Sequence, residues 1–281
     1  MTVLIIGGSG FLGAELVRQA VSAGVRPAAT FCSGPGKNDG AAWHHLDLRD
    51  PTRLQDVLAA VAPAVVINAT SGESDWAVTA EGGIRLAQAA ARHGARLVHV
   101  SSDAVFSGTT RDWHDESCLP DPLTPYGAAK AAAETAVRLV CPDAVVARTS
   151  LIIGRGLSEH EQLVHGLAAG TRQGALFTDD IRCPVHVEDL AAALWELARS
   201  DAAGVFHLAG TDAVSRHELG ALIARRDGLD PARLPSARRA DTGLPGGLDV
   251  RLDSRATQQK LRTRLRGARA FLNGNGTQRQ R

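Results

Sequence analysis

The stretch Val3-Leu4-Ile5-Ile6-Gly7-Gly8-Ser9-Gly10-Phe11-Leu12-Gly13 decides how the rest of this 281-residue chain is read. Four consecutive apolar residues, three of them β-branched, fit a short strand buried on both faces. They run into a glycine-rich turn, and Phe11–Ala23 follows as a helix stopped by Gly24. Two registers fit the turn, Gly7-x-x-Gly10-x-x-Gly13 and Gly8-x-Gly10-x-x-Gly13. The early glycines allow a tight turn and close approach of backbone to a pyrophosphate. Gly13 lets the helix pack on the strand, and the helix N-terminus at Phe11 and Leu12 offers amide donors and a positive dipole to phosphate. The stretch therefore predicts a dinucleotide site at Gly7, Gly10, Phe11, Leu12 and Gly13.

Working outward, short apolar runs alternate with helical stretches. Strands are predicted at Arg26–Phe31, Trp43–Leu46, Ala64–Asn68, Arg96–Val100 and Ala144–Arg148. Helices are predicted from Asp50-Pro51 to Ala62, over Thr79–His93 and over Thr124–Val140. Strands separated by helices of this length form βαβ units, so the fold class is α/β: a Rossmann-type doubly wound parallel sheet. After about residue 150 the pattern loosens. Helices are expected at Glu159–Thr171, Val187–Arg199 and Ser215–Arg226, and strands near Leu176–Thr178, Gly204–Leu208 and Leu248–Leu252, with 227–247 a long connection. The expected organisation is a dinucleotide-binding domain at 1–150, a smaller C-terminal α/β substrate lobe at 151–272 interleaved with the main sheet, and a frayed tail at 273–281. A cleft between the two is the natural ligand site.

Tyr126 is the sole tyrosine, and Lys130, one of three lysines, follows it by four. On a helix these positions share a face. An ammonium there is expected to lower the pKa of the phenol, which then exchanges a proton with a carbonyl or alcohol oxygen near neutral pH. Ser101-Ser102-Asp103 ends a strand at the carboxyl edge, where a serine hydroxyl facing the phenol can stabilise charge on the same oxygen. Asn68-Ala69-Thr70 ends the neighbouring strand over the same crevice. Asp47-Leu48 follows the third strand, where the aspartate meets an adenine amino group or caps the next helix. The acidic residue that usually holds an NAD ribose is missing: the region reads Thr30-Phe31-Cys32-Ser33, and Arg26, Ser33 and Lys37 suggest tolerance of a 2′-phosphate. NADP(H) is accordingly favoured over NAD(H).

Composition narrows the alternatives. Lys and Arg number 31 against 30 Asp and Glu, giving a net charge of +1 and no global field for nucleic acid. Residues 251–281 hold nine basic side chains and one acidic one, read as a solvated helix face and end. Four scattered cysteines without a CxxC pair point to free thiols in a reducing cytoplasm. Met1–Ile6 lacks a basic leader region and a cleavage site, and no apolar run is long enough to span a membrane. His160 and His165 are five apart and cannot face one metal from a regular helix; His44-His45 alternates across a strand; Asp179-Asp180 is read as a turn. No catalytic metal is expected.

Taken together, the glycine turn, Asn68-Ala69, Val100-Ser101-Ser102-Asp103-Ala104-Val105-Phe106, Pro125-Tyr126-Gly127-Ala128-Ala129-Lys130, Arg148-Thr149-Ser150 and Val187-Glu188-Asp189-Leu190-Ala191 resemble the extended short-chain dehydrogenase/reductases. Within them the chain is most similar to the dTDP-4-dehydrorhamnose reductase branch, whose C-terminal lobe Gly204–Gly210 and Val214-Ser215-Arg216 also resemble; the likeness covers about residues 1–262. The resemblance implies a catalytic set of Ser102, Tyr126 and Lys130. It implies a dinucleotide held by Gly7, Gly10, Gly13, Asp47, Asn68 and Lys130, and a nucleoside-diphosphate deoxy sugar as substrate. The diphosphate is expected at an arginine of the second lobe, Arg172 or Arg182. A homodimer is compatible with it. Thr79, Ala104, Leu151 and Ile153 depart from the family pattern and bear on substrate fit. Two other readings stand beside the reductase. One is an epimerase or dehydratase with bound NAD, although Asp103-Ala104 offers a single carboxylate beside Ser102; the other is a non-catalytic NAD(P)-binding regulatory subunit.

Overall fold

The computed structural model of the chain describes residues 2–109 and 112–273. Seven parallel strands form the central sheet: β1 (Val3–Ile6), β2 (Ala28–Phe31), β3 (Ala42–His45), β4 (Val65–Asn68), β5 (Arg96–Ser102), β6 (Val145–Thr149) and β7 (Gly204–Leu208), in spatial order β7-β6-β5-β4-β1-β2-β3. The order reverses between β1 and β4, where Val3 pairs with Val65 and Ile6 with Asn68. In an open parallel sheet such a reversal leaves a crevice outside the carboxyl ends of the strands.

The strand residues alternate between two cores, as the two-residue repeat of a pleated strand requires. Val3, Ile5, Val65 and Ile67 face α1 (Phe11–Ser22) and a later helix at Val187–Ala198, while Leu4, Ile6 and Val66 face α2 (Pro51–Val61), α3 (Gly82–Arg92) and α4 (Pro125–Val140). Alanines pack α3 and α4 closely: Ala87, Ala89, Ala90, Ala129 and Ala133 are fully buried. The second half adds α5 (Glu159–Ala168), α6 (Val187–Ala198) and α7 (Arg216–Arg226). α5 and α7 enclose a separate core with Ile153, Leu176 and Leu272, whereas α6 and β7 return to the main sheet. The second lobe thus shares its framework with the first.

Two elements depart from expectation. The helix predicted over Thr79–His93 begins with a π-helical turn at Ala77–Glu81 before α3. There Thr79 turns its hydroxyl back to Gly72 N and Glu73 O, at 3.2 and 3.0 Å, and fixes the preceding loop. The strand expected at Leu248–Leu252 contracts to Arg251–Leu252, paired with Trp113–His114. Asn273 closes the last helix, Ala268–Asn273, and the rest of the tail expected at 273–281 lies outside the described residues.

One buried ion pair ties α4 to β6. Arg148, 1% exposed, donates to Glu134 from Nε at 3.1 Å and from its terminal nitrogen at 2.8 Å, and Ser101 Oγ donates to the same carboxylate at 2.5 Å. Removing one partner of such a pair strands the other charge in the interior, which costs about 3–5 kcal/mol. Arg148→Met should therefore lower the unfolding free energy in urea by about that amount. A loss under about 1 kcal/mol would mean that Glu134 finds water or another donor.

Candidate active site

The glycine turn is shaped as its spacing demands. Gly7 has φ +76°, a region that favours glycine, and its N–H donates to Thr30 Oγ1 at 3.0 Å. A Cβ on Gly13 would lie 2.1 Å from Gly7 O, so α1 can approach the turn this closely only with glycine there. Gly10 caps α1 without a side-chain partner, leaving the first amides of the helix to face the crevice. Gly10, Phe11 and Leu12 line a cavity of about 780 Å³ together with Ala69, Thr70, Ser102, Tyr126 and Lys130. The backbone cradle, the helix N-terminus and their common cavity fit a dinucleotide pyrophosphate.

Tyr126 stands in the first turn of α4. Pro125 occupies the first helical position and Thr124 accepts from Gly127 N at 3.0 Å, a side-chain cap that fixes where the helix starts. A Cβ on Gly127 would meet Ala104 O at 2.0 Å, so this turn lies directly on the backbone that follows Ser102. β5 extends through Ser102, which pairs in register with Thr149. Ser102 Oγ accepts from Ala104 N at 3.2 Å, and the hydroxyls of Ser102 and Ser71 both lie within hydrogen-bonding reach of the phenol.

The electrostatics correct one expectation. The phenol pKa is raised, not lowered: burial is the largest cause, Asp103 and Glu73 add to it, and the hydroxyls of Ser71 and Ser102 pull against it. Lys130 does not neutralise the phenolate directly. Its ammonium, 6.0 Å from the ring centre, donates to Thr70 O at 3.2 Å and Val100 O at 3.1 Å. Burial lowers its own pKa to about 8, with Glu134 opposing. Tyr126 is thus held in its protonated form at neutral pH, the state a proton donor needs.

Other predicted residues lie around this centre at varying depth. Asn68 is buried, its amide nitrogen 3.1 Å from His99 Nδ1 and its oxygen accepting from Thr70 N and Oγ1. Asp47 stands at the carboxyl edge after β3 with its carboxylate gripped by Arg49, at 2.7 Å from the terminal nitrogen. Leu48 is buried against Gly82. Ser33 is exposed in the loop after β2, and Lys37 borders a separate hollow on the flank of α1 with Arg18 and Arg155. Arg182 lines the main cavity, while Arg172 lines a neighbouring one beside Leu176 and Phe177. His160 contacts Arg216 at 3.3 Å and His165 pairs with Asp227 at 2.7 Å.

At the second-lobe end of the main cavity, Asp180 binds three arginines: Arg182 at 2.7 Å, Arg216 at 3.4 Å and Arg239 at 3.2 Å. Arg182 also lies 3.7 Å from Asp103, whose carboxylate accepts from Ser150 Oγ at 2.6 Å and from Ser102 Oγ at 3.3 Å. Three guanidinium groups thus gather around Asp180 and Asp103, with Glu159 lining the same cavity, and their planar N–H donors suit an anion's oxygens.

In sequence and in fold the chain is similar to known proteins. The family described as the RmlD substrate binding domain matches residues 1–272. The chain belongs to this family. It is 34% identical to the dTDP-4-dehydrorhamnose reductase of Mycobacterium tuberculosis over 257 residues, 86% of this chain and 81% of the relative. It is 30% identical to Methionine adenosyltransferase 2 subunit beta of Bos taurus over 257 residues, 84% and 73% of the two chains. Among solved structures, a hypothetical dTDP-4-dehydrorhamnose reductase from Sulfolobus tokodaii superposes with a TM-score of 0.82 at 27% identity, covering 95% of this chain and 97% of the other. This RmlD-family fold gathers residues that sequence reasoning missed: Thr30, Ser71, Glu73, Arg216 and Arg239. Arg216 had a signal, since it closes the Val214-Ser215-Arg216 segment that carried part of the resemblance. Thr30 lies in a strand, Ser71 and Glu73 in a loop and Arg239 in a short 3-10 turn, where no spacing marks them.

The burial of Lys130 has a consequence for stability. Its folded-state pKa of about 8 lies below the ordinary 10.5. Between those values the unfolded chain holds the proton and the folded chain does not, so raising the pH through that window favours folding; below it the full burial cost remains. From about pH 8 to about pH 10 the unfolding free energy of the native chain should rise relative to Lys130→Met. Urea titrations giving a constant difference across that window would show that the ammonium is not desolvated.

Proposed function

We propose that this chain is an NAD(P)H-dependent oxidoreductase that reduces the keto group of a nucleotide-linked deoxy sugar, with NADP(H) ahead of NAD(H). The observation that carries the reading is the meeting, in one cavity, of the glycine turn, the Ser102/Tyr126/Lys130 set and the Arg182/Arg216/Arg239 cluster. Similarity to a protein named dTDP-4-dehydrorhamnose reductase supports the same substrate class. In this reading residues 1–150 hold the dinucleotide and 151–272 the sugar nucleotide, whose diphosphate lies on the arginines.

The bound dinucleotide supplies the hydride. Ser102 and Tyr126 receive the carbonyl oxygen between two hydroxyl donors, which stabilises the negative charge that develops there. Tyr126, kept protonated by burial, Asp103 and Glu73, gives its proton to that oxygen. Lys130, fixed on two carbonyl oxygens, holds the position beneath the ring and offers its remaining N–H to a ribose hydroxyl. Gly7, Gly10, Phe11, Leu12 and Gly13 receive the pyrophosphate, and Asp47, Leu48, Asn68, Ala69 and Thr70 line the path along the strand ends. Ser33 and Lys37 are assigned to the adenosine ribose side. No helix among the described residues is long and apolar enough to cross a membrane. The reading assigns the chain to the cytoplasm, a compartment in which its free cysteines stay reduced.

The similarity to a methionine adenosyltransferase subunit favours a second reading, in which the chain binds a dinucleotide as part of another enzyme. NADPH oxidation with dTDP-linked 4-keto-6-deoxy sugars separates the two. Steady consumption supports the reductase; binding without consumption supports the subunit. In the reductase reading Tyr126→Phe keeps NADPH affinity within a few-fold while turnover falls by roughly 10²–10⁴. Unchanged turnover would remove Tyr126 from the proton transfer.

A further inference from the structure

His99 takes no part in the proton transfer, yet a chain of hydrogen bonds leads from it to Lys130. It stands on β5, paired in register with Asn68 of β4, and is 1% exposed. A Cβ on Gly83 of α3 would lie 3.3 Å from its Cε1, so the ring is packed against that helix. The proton positions follow from one fixed donor. Thr70 N–H can only donate, and it meets Asn68 Oδ1 at 3.2 Å; Thr70 Oγ1 donates to the same oxygen at 2.6 Å. The other end of the amide, Nδ2, therefore faces His99 Nδ1 at 3.1 Å. An amide nitrogen also only donates, so Nδ1 accepts and the ring proton sits on Nε2. Burial, aided by the nearby Lys130 charge, pushes the imidazole pKa down to about 3, which keeps the ring neutral. Nε2 meets no partner among the described residues. A histidine with an unpaired buried donor is a poor choice for filling a core.

Resting on the dinucleotide part of the reductase reading, we propose that His99 is a positioning residue for the cofactor: by accepting from Asn68 it fixes the amide that holds Thr70 in place. Thr70 lies beyond the end of β4, and its N–H goes to the Asn68 side chain rather than to a neighbouring strand. Two parts of the site lean on it. Its carbonyl oxygen accepts from Lys130 Nζ at 3.2 Å, and a Cβ on Gly7 would lie 2.9 Å from its Cγ2. The other acceptor of Lys130, Val100 O, belongs to the residue after His99. The ammonium and the glycine turn are thus spaced by one residue whose orientation depends on the Asn68 amide. With that amide released Thr70 can turn, and the ribose and pyrophosphate contacts of a bound dinucleotide loosen together. The arginines around Asp180 lie outside this chain of contacts.

Two measurements on the full chain test this. In nitrogen NMR of histidine-labelled protein, the imidazole whose signal is lost in His99→Leu should carry its proton on Nε2, with Nδ1 hydrogen-bonded, and should not titrate through neutral pH. A proton on Nδ1 overturns the inference, and this measurement decides alone if the variants do not fold. NADPH titrations then read the effect on the site. His99→Leu exchanges one unpaired donor, Nε2, for another, Asn68 Nδ2, so its urea midpoint should stay close to native while the Kd for NADPH rises roughly 10-fold. His99→Asn places an acceptor near the position of Nδ1 and should recover most of that affinity; His99→Gln, whose amide reaches the Nε2 end, should not. In steady state the same split appears as a higher KM for NADPH with the KM for the sugar nucleotide little changed. Native NADPH affinity in folded His99→Leu, or a loss that folded His99→Asn does not reverse, overturns the inference. The expected affinity changes in a chain that reduces no keto sugar overturn the reductase reading and leave this one standing. A native chain that binds no NADPH overturns both.

Discussion

The buried ammonium of Lys130 is the constraint around which the site is arranged. A charge removed from water must find partners, and here they are the carbonyl oxygens of Thr70 and Val100, with Glu134 one helical turn away. Thr70 follows β4 and Val100 lies near the end of β5, so the lysine can be satisfied only if α4 is docked across both strands. Docking in turn needs Gly127, whose missing side chain lets the helix rest on Ala104 O, and the small side chains Ala129 and Ala133. The same contact sets Tyr126 against Ser102. One desolvated cation thus fixes the phenol, the serine and two strand ends in a common frame.

The electrostatic arrangement divides the cavity by role. Around Tyr126, burial and the carboxylates of Asp103 and Glu73 keep the phenol protonated. At the other end Asp180 holds three guanidinium groups in place without cancelling them, and Arg182 links the two regions through Asp103. The surroundings of the phenol and the arginine cluster are therefore joined by one connected set of ion pairs.

The fold was legible because its signals are local. A buried strand, a glycine turn and a helix are each encoded within a dozen residues, and repetition of that unit implies a parallel sheet. The Tyr126–Lys130 spacing was legible for the same reason, since a helix brings positions four apart onto one face. The direction of the Tyr126 shift was not. Sequence proximity suggested that Lys130 acts on the phenol, but an extended lysine reaches past the ring to carbonyls contributed by residues 60 and 30 positions away. The pairing of Thr30 with Gly7, across 23 residues, was hidden for the same cause.

By itself, then, the sequence determined the α/β architecture, the glycine cradle and the identity of the serine, tyrosine and lysine, because these depend on short-range periodicity and on glycine's freedom from a side chain. Only the tertiary structure decided which arginines share Asp180, which hydroxyls face inward and how the phenol is tuned. Those outcomes depend on burial and on contacts between segments far apart in the chain, and desolvation is a property of the packed interior that no local pattern records.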